Sequence, residues 1–332
     1  AGKLWMFGGV GLTNNYQVGE LNDLWVYDLG LNEWALMSGN VNAVNVSGVM
    51  GTPGVPSNSN FPGGRHAGNG WIDASGKIYI FGGQGFPDYT SVMNGNVGTL
   101  NDMWVFDPNA GSTWAFLAGD NSINVPGSAS LPPSRRSGMS WTDASGQFWI
   151  FGGFGFPLNV SQGPASGFLN DMWSFDPMSQ TWTRRGGSDF AEGQGRGGLR
   201  GVSSIHIWPP ARASSAFWQS PDGKFWLYAG DGQTGNFGGF ASVSDVYSFD
   251  PATKQWTWVS GFTHAPYGFE TSYPYHPTEF GPYDVPGSYK PGARIQAIAW
   301  PDAAGNVWIF GGFGNNYWNT SGYQQDLWYL DF

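Results

Sequence analysis

The chain has 332 residues, a net charge of −10, only 11% charged side chains, 17% aromatics, 53 glycines and 22 prolines. Such a composition is poor helix material and good material for short strands and many turns, and its acidic balance argues against nucleic acid as a partner. The absence of cysteine removes disulfides, thiolate metal sites and cysteine nucleophiles together, and no apolar run approaches the ~20 residues a bilayer-spanning helix needs.

In chain order, "AGKLWMFGG" opens on the middle of a repeat, with a glycine pair at Gly8 and Gly9. Further pairs fall at Gly82-Gly83, Gly152-Gly153 and Gly311-Gly312, with Ala229-Gly230 at the fourth place. The spacings vary (74, 70, 77 and 82 residues), but the offsets inside each repeat do not. An arginine (Arg65, Arg135, Arg212, Arg294) precedes each later pair by 17 residues, and a tryptophan follows each arginine by six: Trp71, Trp141, Trp218, Trp300. Fixed offsets within variable lengths describe a rigid module with elastic loops.

Each module reads as four strands. Strand A follows the arginine, and a tight turn such as "DASG" leads into strand B, the apolar run typified by "FWIFGG". Strand C is typified by "LNDMWSFD", and a corner, often "DP", leads to strand D, typified by "TWTRRG". Glycine supplies the positive φ of the first turn, and proline suits the second corner because its φ is already fixed.

Four-stranded antiparallel modules repeated about an axis are β-propeller blades. The glycine pairs, with an aromatic and a tryptophan seven or eight residues apart (Tyr27/Trp34, Phe106/Trp114, Phe175/Trp182, Phe249/Trp256), resemble the kelch family over nearly the whole chain. The wording is most similar to extracellular kelch arrays. The resemblance implies an all-β propeller of four-stranded antiparallel blades, with five blades at 1–38, 64–118, 135–186, 211–260 and 293–332 in a single domain. The first blade lacks strand A and the last lacks strand D. Kelch propellers usually have six or seven blades, so a piece of a longer chain is the expectation. The repeats exceed the ~50 residues usual for kelch, which places the extra length in loops.

Recurrence separates structure from function. Sixteen of the 19 tryptophans sit at repeat positions and read as packing between blades. Fourteen of the 24 acids also recur, at the head of strand C, at the C–D corner and in the A–B turn. A catalytic dyad should be unique, so these read as turn and frame residues. Arg65, Arg135, Arg212 and Arg294 are matched by Asp102, Asp171, Asp245 and Asp326, and structural ion pairs are expected. The alternative is a basic rim that captures an acidic ligand.

Strand direction alternates, so the short A–B and C–D turns share one face and the long B–C and D–A loops share the other. Recognition is usually placed on such loops. Their non-repeated aromatics make the candidate partner-binding set Tyr89, Tyr267, Tyr273, Tyr275, Tyr283, Tyr317, Trp318 and Tyr323, because tyrosine joins a large stiff ring to a polar tip. The stretch 184–201, with Arg184, Arg185, Arg196 and Arg200, reads as a solvated loop or a local anion contact.

Sequons at Asn45, Asn159 and Asn319 tilt the expected location to the cell exterior or surface. Kelch relatives include copper radical oxidases resembling galactose oxidase, which need a cysteine this chain lacks. No cofactor or metal is expected, and no enzymatic activity. The reading is a recognition or assembly scaffold for another protein, or for an extracellular glycan in a lectin-like variant, within a larger assembly. A propeller enzyme with a carboxylate or metal site at the pore is the alternative from another class.

Overall fold

The computed structural model describes residues 2–87, 97–161, 163–233, 240–261, 291–315 and 321–330. Among these the protein is entirely strands, turns and bends. Among the described residues no helix is long and apolar enough to cross a membrane. Two compact units divide the chain: Ala1–Ser137 with Gly155–Val160 and Phe175–Arg184, and Gly138–Phe154 with Ser161–Ser174 and Arg185–Phe332.

In the first unit, one antiparallel sheet runs through Lys3–Leu12, Val18–Asp28 and Glu33–Ser38, as strands B, C and D. The second sheet has strand A in two pieces, Arg65–His66 and Asn69–Ile72, both paired to strand B, Ile78–Gly85. Gly98–Asp107 and Thr113–Ala118 complete it. The break in strand A falls at Ala67, whose φ of 54° is left-handed. Trp5 and Phe7 of the first sheet pack against Ile78, Ile80, Phe106 and Trp114 of the second, with Phe7 edge-on to Trp114 at 5.4 Å.

The third sheet contains Met139–Thr142, Phe148–Gly155, Gly167–Asp176 and Thr181–Gly186 in that order. In the second unit, Ala216–Gln219, Phe225–Tyr228, Val246–Asp250 and Gln255–Ser260 form the fourth sheet. Ile298–Pro301, Val307–Phe310 and Leu327–Leu330 form the fifth. Near the loop-bearing ends, the strands of the fourth and fifth repeats continue as separate three-stranded ribbons: Arg212–Ala213 with Asp231–Gln233 and Phe240–Ser242, and Arg294–Ile295 with Phe313–Asn315 and Ser321–Tyr323. Trp141 stacks on Phe225 at 5.2 Å, and Trp218 and Tyr228 share a core with Val307 and Ile309. Trp71, Trp114, Trp141 and Trp218 are thus filling between successive sheets, where aromatics bury the most area, whereas the recurring Trp34 and Trp300 are exposed.

Gly8, Gly82, Gly83, Gly152 and Gly312 of the glycine pairs stand where a neighbouring backbone comes too close for a side chain. A Cβ on Gly82 would stand 2.7 Å from the Arg135 carbonyl oxygen, at a φ of +64°. The same collision awaits one on Gly152, at 2.6 Å from the Arg212 carbonyl. Ala229 holds the fourth place at φ 60°, where its N–H donates to Asp245 and the next glycine's N–H donates to the Arg294 carbonyl at 2.9 Å. The recurring corner aspartates work on local backbone: Asp73 accepts from Ser75 and Lys77, and Asp107 from Asn109.

Candidate functional site

The repeat arginine and the strand-C aspartate meet in the second, fourth and fifth repeats. Arg65 and Asp102 are buried and joined by two bonds of 2.6 and 2.7 Å. The Arg65 Nε donates to the Gly63 carbonyl, and its Nη1 donates also to the Gly82 carbonyl. Asp102 takes a third donor, the indole N–H of Trp104, at 2.7 Å. Arg212 repeats the geometry with Asp245 and lies over the Tyr247 ring at 5.4 Å. Arg294 repeats it with Asp326 at 2.7 and 2.9 Å, and Trp328 donates to the same carboxylate. Arg135 is buried and donates through Nε to the Pro133 carbonyl, while buried Asp171 accepts from Trp173. These guanidinium groups face carboxylates and carbonyls rather than solvent.

Electrostatics follow from this packing. Burial opposes ionisation of Asp326, but hydrogen bonds from Arg294 and Trp328 and the Arg294 charge outweigh it, holding the carboxyl below its usual range. Burial likewise opposes the charge on Arg212, and the Asp245 carboxylate overcomes it, so the guanidinium is held more firmly protonated.

The asparagine of "LND" has its own task, one the recurrence argument left unread. Asn22, Asn101 and Asn170 are buried. Each accepts from the backbone N–H that begins the D–A connection: Asn40, Asp120 and Ser188, at 3.0–3.2 Å. Each also reaches a carbonyl at that connection's far end: Pro62, Pro132 and Pro209. A second staple lies between. Asn45, Asn124 and Glu192 all have φ near 60°. Their side-chain oxygens accept from the backbone N–H of Glu20, Thr99 and Phe168 at 2.9 Å, and their own N–H groups donate back at 2.8 Å. The signal was present in the sequence, since Asn45 and Asn124 each follow their strand-C partner by 25 residues.

The D–A connections do more than decorate one face. Segment 49–61 lies along strand D of the second sheet, with Ser57 bridged to Trp114 and the Gly54 N–H on the Phe116 carbonyl. Ser203–Ser204 pairs with Gln255–Ser260 of the fourth sheet. Edge strands present unpaired N–H and C=O groups, and these excursions occupy them. This corrects the reading of 184–201 as a solvated loop for its first residues, while 196–201 is exposed. Arg184 and Arg185 lie on strand D, where Arg185 bonds Ser174 and Gln147 and covers the Trp149 ring, and Arg200 donates to the Val259 carbonyl.

Of the candidate partner-binding residues, Tyr323 is described: it is 82% exposed, pairs across strands with Phe313, and meets that ring edge-on at 5.4 Å. Tyr89, Tyr267, Tyr273, Tyr275, Tyr283, Tyr317 and Trp318, with the sequon Asn319, lie outside the described residues. Asn45 and Asn159 are exposed, and Asn45 already spends its oxygen on Glu20. Two polar contacts at the loop-bearing end were not foreseen: His66 Nδ1 with Glu20 at 2.9 Å, and Arg136 donating to Gln84. Both donors directly follow a repeat arginine. Among the described residues, no group of three or more His, Asp or Glu side chains is placed to hold a metal ion.

Residues 51–272, two thirds of the chain, match the family model described as the KLHDC2/KLHL20/DRC7 Kelch-repeats domain. No curated protein matches the chain. Kelch repeats generally mediate protein binding and are usually not enzymes. With its arginine–aspartate frames, glycine pairs and indole-filled sheet junctions, the chain belongs to the kelch-repeat family and is a β-propeller of antiparallel blades.

Proposed function

We propose that the protein is a non-catalytic scaffold that binds a protein partner through the B–C and D–A loop face, outside the cell or at its surface. The observation that carries this reading is the Phe313–Tyr323 pair. It is an exposed edge-to-face aromatic pair held on paired strands where the B–C connection of the fifth repeat joins its sheet. Aromatic anchors on rigid elements are the groups that carry most binding energy at protein interfaces. The acids support it too: the recurring aspartates are committed to arginines, indoles and turn N–H groups. The extracellular location rests on the sequons, of which Asn45 and Asn159 are exposed.

The test is affinity capture with the wild-type, Tyr323→Ala and Met178→Ala chains, read by mass spectrometry. Met178 is 92% exposed at the short C–D corner of the third sheet. A captured protein lost with Tyr323→Ala and kept with Met178→Ala supports the reading. Equal capture by all three chains defeats it.

A further inference from the structure

Two of the D–A connections carry an arm of one design. A β-bridge closes each arm at its base, Val49 to Phe61 and Arg196 to Trp208, and both bridges enclose eleven residues. The arms read "GVPS" at 54–57 and "GVSS" at 201–204. They lie on the outer strands of the second and fourth sheets in one register. The Gly54 N–H donates to the Phe116 carbonyl and the Gly201 N–H to the Trp258 carbonyl. Three residues on, Ser57 is bridged to Trp114 and Ser204 is paired with Trp256.

The connection that enters the third sheet lacks this arm. Its basal bridge, Ser128 to Leu131, encloses only Ala129 and Ser130. Thr181–Gly186 is the last strand of that sheet, and among the described residues nothing is bridged to its outer side. Thr181 and Thr183 are exposed, whereas their counterparts under the first arm, Thr113 and Ala115, are half-buried and buried. A bare strand edge presents main-chain N–H and C=O groups to any extended chain of fitting sequence.

We propose that this edge accepts, as an added outer strand, an extended segment of another protein with the pattern acid-Gly-Val-X-Ser. Strand addition of this kind draws affinity from main-chain bonds and specificity from side chains at set positions. The glycine and serine follow from the register that both resident arms share. The acid follows from charge. Arg200, the residue before Gly201, donates to the Val259 carbonyl, and the third-sheet counterpart of Val259 is Arg185. Among the described residues Arg185 meets neutral groups: the Ser174 hydroxyl, the Gln147 amide oxygen and the Trp149 ring. A carboxylate placed before the glycine stands beside that guanidinium, where a charge-assisted bond can form. Both arms of this chain are spent on its own sheets, so a second copy has none to lend. The edge is separate from the loop face, and the inference does not rest on that face binding anything.

The probes are a fluorescent peptide of sequence 199–205 and its Arg200→Asp form, titrated against the 332-residue chain by anisotropy. The Arg200→Asp peptide should bind about tenfold more tightly than the unaltered one, the worth of one charge-assisted bond. Hydrogen exchange over 181–186 should slow when it is bound. Arg184 is the counterpart of Phe116, so its main chain lies on the side the arms use. Arg184→Pro removes that N–H, a change edge strands tolerate, and should abolish binding. A second variant replaces Ala129 and Ser130 with the eleven residues 197–207, which supplies the missing arm within the chain. It should show protected 181–186 amides without peptide and should no longer bind the probe, so the test stands even if the proline variant misfolds. Failure of both peptides to bind the wild-type chain overturns the proposal. So does equal affinity for the two peptides, undiminished binding to the chain with the added arm, or protection that falls outside 181–186.

Discussion

Asp102→Asn keeps the shape of the side chain and removes its charge. In the folded protein this carboxylate accepts from Arg65 Nη1 and Nη2 and from Trp104 Nε1, all within 2.7 Å, with only 1% of its side chain exposed. An amide in that place turns an NH₂ toward one of those donors and leaves the Arg65 guanidinium as a buried, uncompensated charge. Removing one member of a buried pair costs about 3–5 kcal/mol. An equally short contact at the surface sets the scale: Lys224 and Asp222 meet at 2.7 Å but are 43% and 54% exposed, and such pairs contribute about 0–1 kcal/mol. Urea unfolding followed by tryptophan fluorescence should therefore show a large loss of midpoint for Asp102→Asn and almost none for Asp222→Asn. The pair Arg65→Met with Asp102→Leu should cost less than the sum of its single changes, because each single change strands a charge and the double change leaves none behind. A loss for Asp102→Asn no larger than that for Asp222→Asn would refute the reasoning.

Gly82→Ala should lower the melting temperature far more than Gly146→Ala. Both have positive φ, but the first Cβ meets two carbonyl oxygens within 2.9 Å and the second meets nothing within 4 Å, so Gly146→Ala carries only the ~1–2 kcal/mol of left-handed strain. Asn101→Ala removes the staple on Asp120 and Pro132. It should cost about 1–3 kcal/mol and raise amide exchange selectively over 120–133. Glu192 is pushed above the usual carboxyl range by burial and by the nearby Asp231, against a lowering bond from the Phe168 N–H. Its contribution is therefore full below the ordinary value of about 4.3 and is lost as pH rises through the folded value. Glu192→Gln should be more stable than the wild type at neutral pH, with the advantage vanishing below pH ~4, as melting curves against pH would record. Asp326 has the opposite sign: its stabilising share is present above about 3.9 and is lost as pH falls through its lowered folded value.

What could be read in advance was what recurs at fixed offset. The step of 17 residues from Arg65 to Gly82 locates both ends of one hydrogen bond, from Nη1 to the glycine carbonyl. The six-residue step to Trp71 marks a core position. Asn101 stood in the same repeated word as Asp102, but its partners lie at the two ends of a connection whose length varies, so no fixed spacing points to them. Glu192 hid better still: it performs the task of Asn45 and Asn124 with a different side chain. The path of 49–61 along the second sheet is made of main-chain bonds, which leave little trace in composition. The exposed Tyr323 was found because it falls outside the repeat pattern; its partner Phe313 was missed because "FGGFG" reads as strand B continuing.

The covering of one sheet's outer strand by the connection that leaves the sheet before it has a consequence for how such a protein can be cut and rejoined. A crossover placed at the start of strand A, where sequence repeats suggest a seam, would import a sheet whose rim had been tailored by a different predecessor. Exchangeable cassettes in this chain run instead from the end of one strand D to the end of the next, so that 39–118 travels whole, with its own hem already sewn along Thr113–Ala118.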